Sequence, residues 1–85
     1  MREFEYTIKD ELGIHARPAG LLVKAAKATN CRISVVKGNK AADATRLFAV
    51  MGLGIKQGDT VTVTCDGENE EEAILQMRSF FENNL

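Results

Sequence analysis

Three segments of the chain place an apolar residue at every second position, and this pattern narrows the possible folds more than any other feature. In residues 2–8, Phe4, Tyr6 and Ile8 alternate with Glu3, Glu5 and Thr7. In 31–36, Cys31, Ile33 and Val35 alternate with Arg32, Ser34 and Val36, and in 60–65, Val61, Val63 and Cys65 alternate with three threonines. Side chains along a strand point to opposite faces, so each segment has one apolar and one polar face. Strands of this kind form a sheet that is solvated on one side and covered on the other. Lys37-Gly38-Asn39-Lys40 is a tight-turn signal, which predicts a short return strand over Lys40–Ala44.

Between the strands the period changes from two to that of a helix. Leu22, Ala25, Ala26 and Thr29 share one helical face, which predicts a helix from Ala16 to about Thr29, with Asn30 as its terminator. Pro18 is the one proline of the chain and is tolerated only near a helix start, where its missing N–H would have no partner anyway. Thr45 is placed to cap a short helix over Arg46–Met51, ended by Gly52 and Gly54. Gln57-Gly58-Asp59 and Asp66-Gly67-Glu68-Asn69 read as turns. A last helix follows, with Glu70, Glu71 and Glu72 in its first turn, where the helix dipole favours anions. Its expected stripe is Ile74, Met77 and Phe81, with Ala73 and Phe80 alongside. The order is β-α-β-β-α-β-α, and the fold class is α+β with two layers. There is no repeat or linker, so residues 1–85 are read as a single domain.

The only histidine, His15, falls where the first helix begins. A helix start presents unpaired N–H groups and the positive end of the dipole, which together suit an anion. On that ground alone a capping or surface histidine is the simpler reading. Arg17, two residues on, adds a guanidinium that can bond an anionic oxygen. Histidine as a residue type ionises near pH 6.5, so a neutral nucleophilic ring is available at neutral pH. A ring nitrogen, Arg17 and the backbone amides of Ala16 and Arg17 therefore make a place where a histidine can carry a phosphoryl group.

The net charge of −1 conceals a strong asymmetry. From Gly13 to Arg46 there are seven basic residues and one acid, Asp43, while the flanks are acidic. A basic centre containing the candidate site favours an acidic protein surface or a phosphate group as partner. Nucleic acid is disfavoured, because no aromatic platform accompanies the lysines. No apolar run reaches the roughly 20 residues that span a bilayer, and the N-terminal residues have no signal-peptide core. A cytoplasmic location without membrane insertion is expected. Cys31 and Cys65 show no metal-binding spacing and read as two buried, reduced thiols in strands. No cofactor and no metal are expected.

The stretch Gly13-Ile14-His15-Ala16-Arg17-Pro18-Ala19, followed by an apolar helix, resembles the active-site signature of HPr, the phosphocarrier of the bacterial sugar phosphotransferase system. Leu47-Phe48-Ala49-Val50-Met51-Gly52-Leu53-Gly54, followed by Gln57-Gly58, is similar to the second-helix segment of that family. Length, element order and the positions of both motifs agree along essentially the whole chain. The resemblance implies an open-faced β-sandwich, a four-stranded antiparallel sheet covered on one face by three helices. It implies that enzyme I phosphorylates His15 using phosphoenolpyruvate, that Nδ1 is the phosphorylated nitrogen, and that a sugar-specific enzyme IIA receives the group. A monomeric carrier is implied, rather than an enzyme with turnover of its own.

A short helix cannot bury Leu47, Phe48, Val50, Met51 and Leu53 all on one side, so part of this set should remain exposed beside the basic site. In the family this region contacts enzyme I and the IIA partners, which makes Leu47, Phe48 and Met51 candidate docking residues. Lys24 and Lys27 are candidates for its charged rim, with solvated helix lysines as the plain alternative. Two positions depart from the family. Arg46 stands where many Gram-positive members carry a regulatory serine, so a serine switch is not expected, and its charge should favour acidic transfer partners. Leu12 replaces a small polar residue near the site. The competing reading is a regulatory or adaptor paralogue, in a nitrogen-related or other phosphorelay, that acts by binding partners. A hydrolase or transferase in its own right is the weakest reading, because no nucleophile–base pair accompanies His15.

Overall fold

A computed structural model describes all 85 residues. The elements are β1 (Arg2–Thr7), α1 (Ala16–Ala28), β2 (Arg32–Lys37), β3 (Lys40–Asp43), α2 (Leu47–Gly52), β4 (Thr60–Asp66) and α3 (Glu70–Asn84). The four strands form one sheet in the order β1-β4-β2-β3, and every neighbouring pair is antiparallel. The expected order and the open sheet with three helices are what the chain adopts.

The register explains the alternation. Phe4 lies opposite Val63, and Val63 opposite Val35, so one row of the ladder carries buried apolar side chains across three strands. The adjacent row, Glu3–Thr64–Ser34–Asp43, carries only polar residues on the open face. Thr7 and Thr60 close the β1 end of that face with a hydroxyl–hydroxyl bond of 2.8 Å.

The helices cover the apolar face. Ala19, Leu22 and Ala26 of α1, Val50 of α2, and Ala73, Met77 and Phe81 of α3 are buried against Ile33, Val35, Val61, Val63 and Cys65. The buried stripe of α3 is Ala73, Met77 and Phe81, four residues apart, and Ile74 and Phe80 flank it half-buried. Met77 and Phe81 are buried as expected, and Ala73 takes the place expected of Ile74. Phe81 packs edge-to-face on Phe4 and Tyr6, with centroids 5.7 and 5.6 Å apart.

Two expectations about local structure need correction. Thr45 does not cap α2: its hydroxyl donates to Asp43 Oδ1 at 2.7 Å and its amide to the same oxygen at 2.9 Å. Asp43 thus folds residues 43–45 into an Asx turn, which claims Thr45 and leaves Arg46 as the N-cap residue, without a side-chain cap bond. Cys31 is neither in a strand nor fully buried: it lies in the bend before β2, half-buried, whereas Cys65 is buried in β4. The Thr29 hydroxyl, which donates to Ala26 O at 2.8 Å, ends α1 one residue before Asn30 and holds this bend.

Candidate functional site

His15 is positioned by the loop between β1 and α1, which is laced to the loop between α2 and β4. Ile8 N donates to Asp59 O at 2.9 Å, Gly58 N to Ile8 O at 2.8 Å, and Gln57 Nε2 to Lys9 O at 3.1 Å. Further along, Ile14 N donates to Ile55 O at 3.1 Å, and the Ile14 side chain is buried. Gly13 lies between these contacts with φ +65°, and a Cβ there would stand 2.3 Å from Ile55 O. Only glycine permits both that backbone angle and that approach.

His15 is the N-cap residue of α1, with extended φ and ψ of −97° and −175°. Its carbonyl accepts from Ala19 N at 2.9 Å, whereas its side chain makes no capping bond. The ring is half-exposed. Ala16 and Arg17 carry the open amides of the first turn, since Pro18, next in line, has no N–H to offer. Arg17 is exposed, and the four ion pairs of the molecule all lie elsewhere, so its guanidinium is uncommitted.

His15, Arg17, Pro18, Leu21, Asp10 and Asn84 line a shallow hollow of about 300 Å³. Leu21, Asp10 and Asn84 were not singled out by sequence reasoning. Asn84 comes from the last turn of α3, brought to the site because Leu85 O accepts the amides of Lys9 and Asp10 at 2.7 and 3.0 Å. Leu12 lies outside the lining: its amide donates to Asp10 Oδ1 at 2.9 Å and its side chain stands 71% exposed. A second hollow, about 190 Å³, sits at the far end of α1 between Asn30, Asn69, Glu72 and Gln76 and contains none of the candidate residues.

The second candidate group lies on α2 and α1. Phe48 is 83% exposed, Leu47 and Met51 are half-buried, and Val50 and Leu53 face the core. The division expected from helical spacing is therefore present. Lys24, Lys27 and Arg46 are exposed. Asp43, beside Arg46, has its carboxyl held below the usual range, first by the Thr45 hydroxyl and amide and then by the charges of Arg46 and Arg32. No three His, Cys, Asp or Glu side chains converge on a point that could hold a metal ion. No helix is long and apolar enough to cross a membrane.

An open sheet under three helices, with a half-exposed histidine at a helix mouth, is the architecture of the histidine-containing phosphocarriers. The family model described as "PTS HPr component phosphorylation site" matches residues 2–83. Phosphocarrier protein HPr of Haemophilus influenzae is 44% identical over 62 residues, 73% of either chain. That of Mycoplasma genitalium is 34% identical over 85 residues, covering 99% of this chain and 97% of the relative. The crystal structure of HPr from Thermoanaerobacter tengcongensis superposes with a TM-score of 0.92 at 38% identity, over 98% of this chain and 93% of the other. The chain belongs to the HPr family, the phosphocarriers of the phosphotransferase system.

Proposed function

We propose that His15 accepts a phosphoryl group from phospho-enzyme I and passes it to sugar-specific enzyme IIA proteins, this chain acting as a monomeric, single-domain cytoplasmic carrier with no turnover of its own. A lone pair of the neutral imidazole, with Nδ1 the expected nitrogen, forms a bond to phosphorus. The bond from phosphorus to the donor breaks, and the donor keeps that electron pair. The dianion then sits at the mouth of α1, where the amides of Ala16 and Arg17 and the Arg17 guanidinium can each donate to its oxygens. The observation that carries this reading is the half-exposed His15 ring beside an unpaired Arg17 in a shallow hollow. Shallowness matters because donor and acceptor must reach the ring in turn.

Exposed Phe48, with half-buried Leu47 and Met51 beside it, is the docking surface in this proposal, with Lys24, Lys27 and Arg46 as its charged rim. Incubation with phosphoenolpyruvate and a competent enzyme I, followed by mass spectrometry, tests the proposal. One acid-labile phosphoryl adduct is expected, absent from His15→Ala and formed more slowly in Arg17→Ala. An adduct that persists in His15→Ala, or none in the natural chain, defeats it.

A further inference from the structure

The basic centre of the sequence contains one lysine whose charge is already committed. Lys37 ends β2, and its Nζ donates to Gly54 O at 2.9 Å and pairs with Asp59 Oδ2, also at 2.9 Å. Asp59 Oδ2 accepts in addition the amide of Lys56 at 2.8 Å, and Asp59 N donates to Lys56 O at 3.0 Å. One ammonium group therefore fixes both ends of the 54–59 loop. Both side chains are about one-third exposed, at 32% and 31%, so the pair is partly shielded from water.

That loop anchors the segment that leads into His15. Ile55, inside the clamped segment, supplies the carbonyl that holds Ile14 N, and Gly13 abuts the same carbonyl. The path runs from Lys37 through Gly54 and Asp59 to Ile55, from Ile55 to Ile14, and so to the residue before the histidine. We infer that Lys37, through its clamp on Gly54 and Asp59, is a positioning residue that sets the place of the His15 ring for phosphoryl transfer. The inference rests on the carrier reading above. It differs from an electrostatic role in docking, because the ammonium is spent inside the protein and is not presented to a partner. A reaction that requires in-line approach of two macromolecules is sensitive to displacements of the nucleophile well below the size of a side chain.

The test combines amide hydrogen exchange with steady-state transfer from enzyme I, in the intact chain. Lys37→Met keeps the aliphatic stem and removes the ammonium, Lys37→Arg keeps a donor, and Asp59→Asn removes the charge from the other side. In Lys37→Met the Ile14 amide should exchange about tenfold faster, while amides of Val35 and Val63 in the sheet keep their protection. The kcat for phosphorylation of His15 should fall about fivefold to tenfold with KM unchanged, because the α2 surface is intact. Asp59→Asn should show the same split, and Lys37→Arg should recover most of the rate. Unchanged Ile14 exchange, unchanged kcat, a rise confined to KM, or an equal loss of protection at Val35 and Val63 would overturn the assignment. If the natural chain takes no phosphoryl group, the carrier reading fails, and the exchange measurement still reports whether the clamp holds Ile14.

Discussion

Gly13 and Ile55 are in such close approach that a single methyl group between them would require the backbone to move: a Cβ on Gly13 would stand 2.3 Å from Ile55 O and 2.7 Å from Lys56 Cα. The contact joins the segment that leads into His15 to the segment that leads out of α2. One glycine thus ties the two candidate surfaces together.

Gly13→Ala should destabilise the protein by about 2 kcal/mol or more, since the left-handed φ costs roughly 1–2 kcal/mol for an L-residue and the collision adds to it. Gly38 provides the comparison. Its φ is +60°, but a Cβ there meets nothing within 4 Å, so Gly38→Ala should show the conformational cost alone. Urea denaturation of both variants measures the difference, and equal losses would remove the steric argument.

Phe48→Ala should leave stability within about 0.5 kcal/mol of the natural chain, because the ring is 83% exposed. The same change should raise the KM for enzyme I by about tenfold or more, as removal of an aromatic anchor at the centre of an interface does. Val50→Ala, two residues on and buried on the other side of the helix, should do the reverse: lower stability with little effect on KM. The pair distinguishes a docking residue from a core residue on one short helix.

Arg46→Glu should weaken transfer from enzyme I, and more at low than at high ionic strength, because the exposed charge acts through a screened field. Rates that fall equally at both ionic strengths would place the effect elsewhere. The Asp43–Thr45 turn does not depend on the Arg46 side chain for its hydrogen bonds, so the local fold should survive the change.

Phe81→Ala should cost about 3–5 kcal/mol, the range for emptying a buried aromatic site. Phe81 is fully buried and touches the rings of Phe4, Tyr6 and Phe80. Leu75 lies on the same helix but is 67% exposed, so Leu75→Ala should be close to neutral in thermal unfolding.

Acid should erode stability in a defined direction. The Lys37 hydrogen bond, then the Lys56 amide, holds the Asp59 carboxyl below the usual range, as Thr45 does for Asp43. A carboxyl depressed in the folded state contributes stability that is complete above its unfolded pKa, near 4, and is lost as the pH falls through the lower folded values. Denaturation midpoints should therefore be flat from about pH 5 to 7 and decline below about pH 4. Asp59→Asn should flatten part of that decline, and an unchanged slope would contradict the Lys37–Asp59 pairing.

The elements of this fold were legible wherever the periodicity involved many residues. The Val61–Val63–Cys65 alternation and the Leu22–Ala26 helix face carry their structure in local spacing, and Pro18 fixed the start of α1 beside His15. What eluded the sequence depends on contacts between distant segments. Thr45 looks like a cap until Asp43 is seen to take its hydroxyl, and both residues suit either role locally. Ala73 and Ile74 are neighbours on α3 and both suit a buried face locally, so only the seating of the helix on the sheet decides that Ala73 is buried and Ile74 half-buried. Asp10, Leu21 and Asn84 reach the His15 hollow from three separate segments, and nothing in their own neighbourhoods marks them. The Lys37–Asp59 pair spans the turn, β3 and α2, so in the sequence Lys37 is one more cation in a basic run.

The order of the sheet also bears on when the protein acquires its site. β2 and β3 meet across Lys37 and Lys40, a closure that a newly made chain can find almost at once. β1 instead pairs with β4, and even its nearest rung, Thr7 with Thr60, spans 53 residues. Loop-closure entropy and contact order place that pairing late in folding. The segment bearing His15 hangs from β1, and its anchors at Asp59, Gly58 and Ile55 lie just ahead of β4. Competence to carry a phosphoryl group is thus expected to mature with the last strand to dock, so that a half-folded chain would present the histidine on a segment without its anchors.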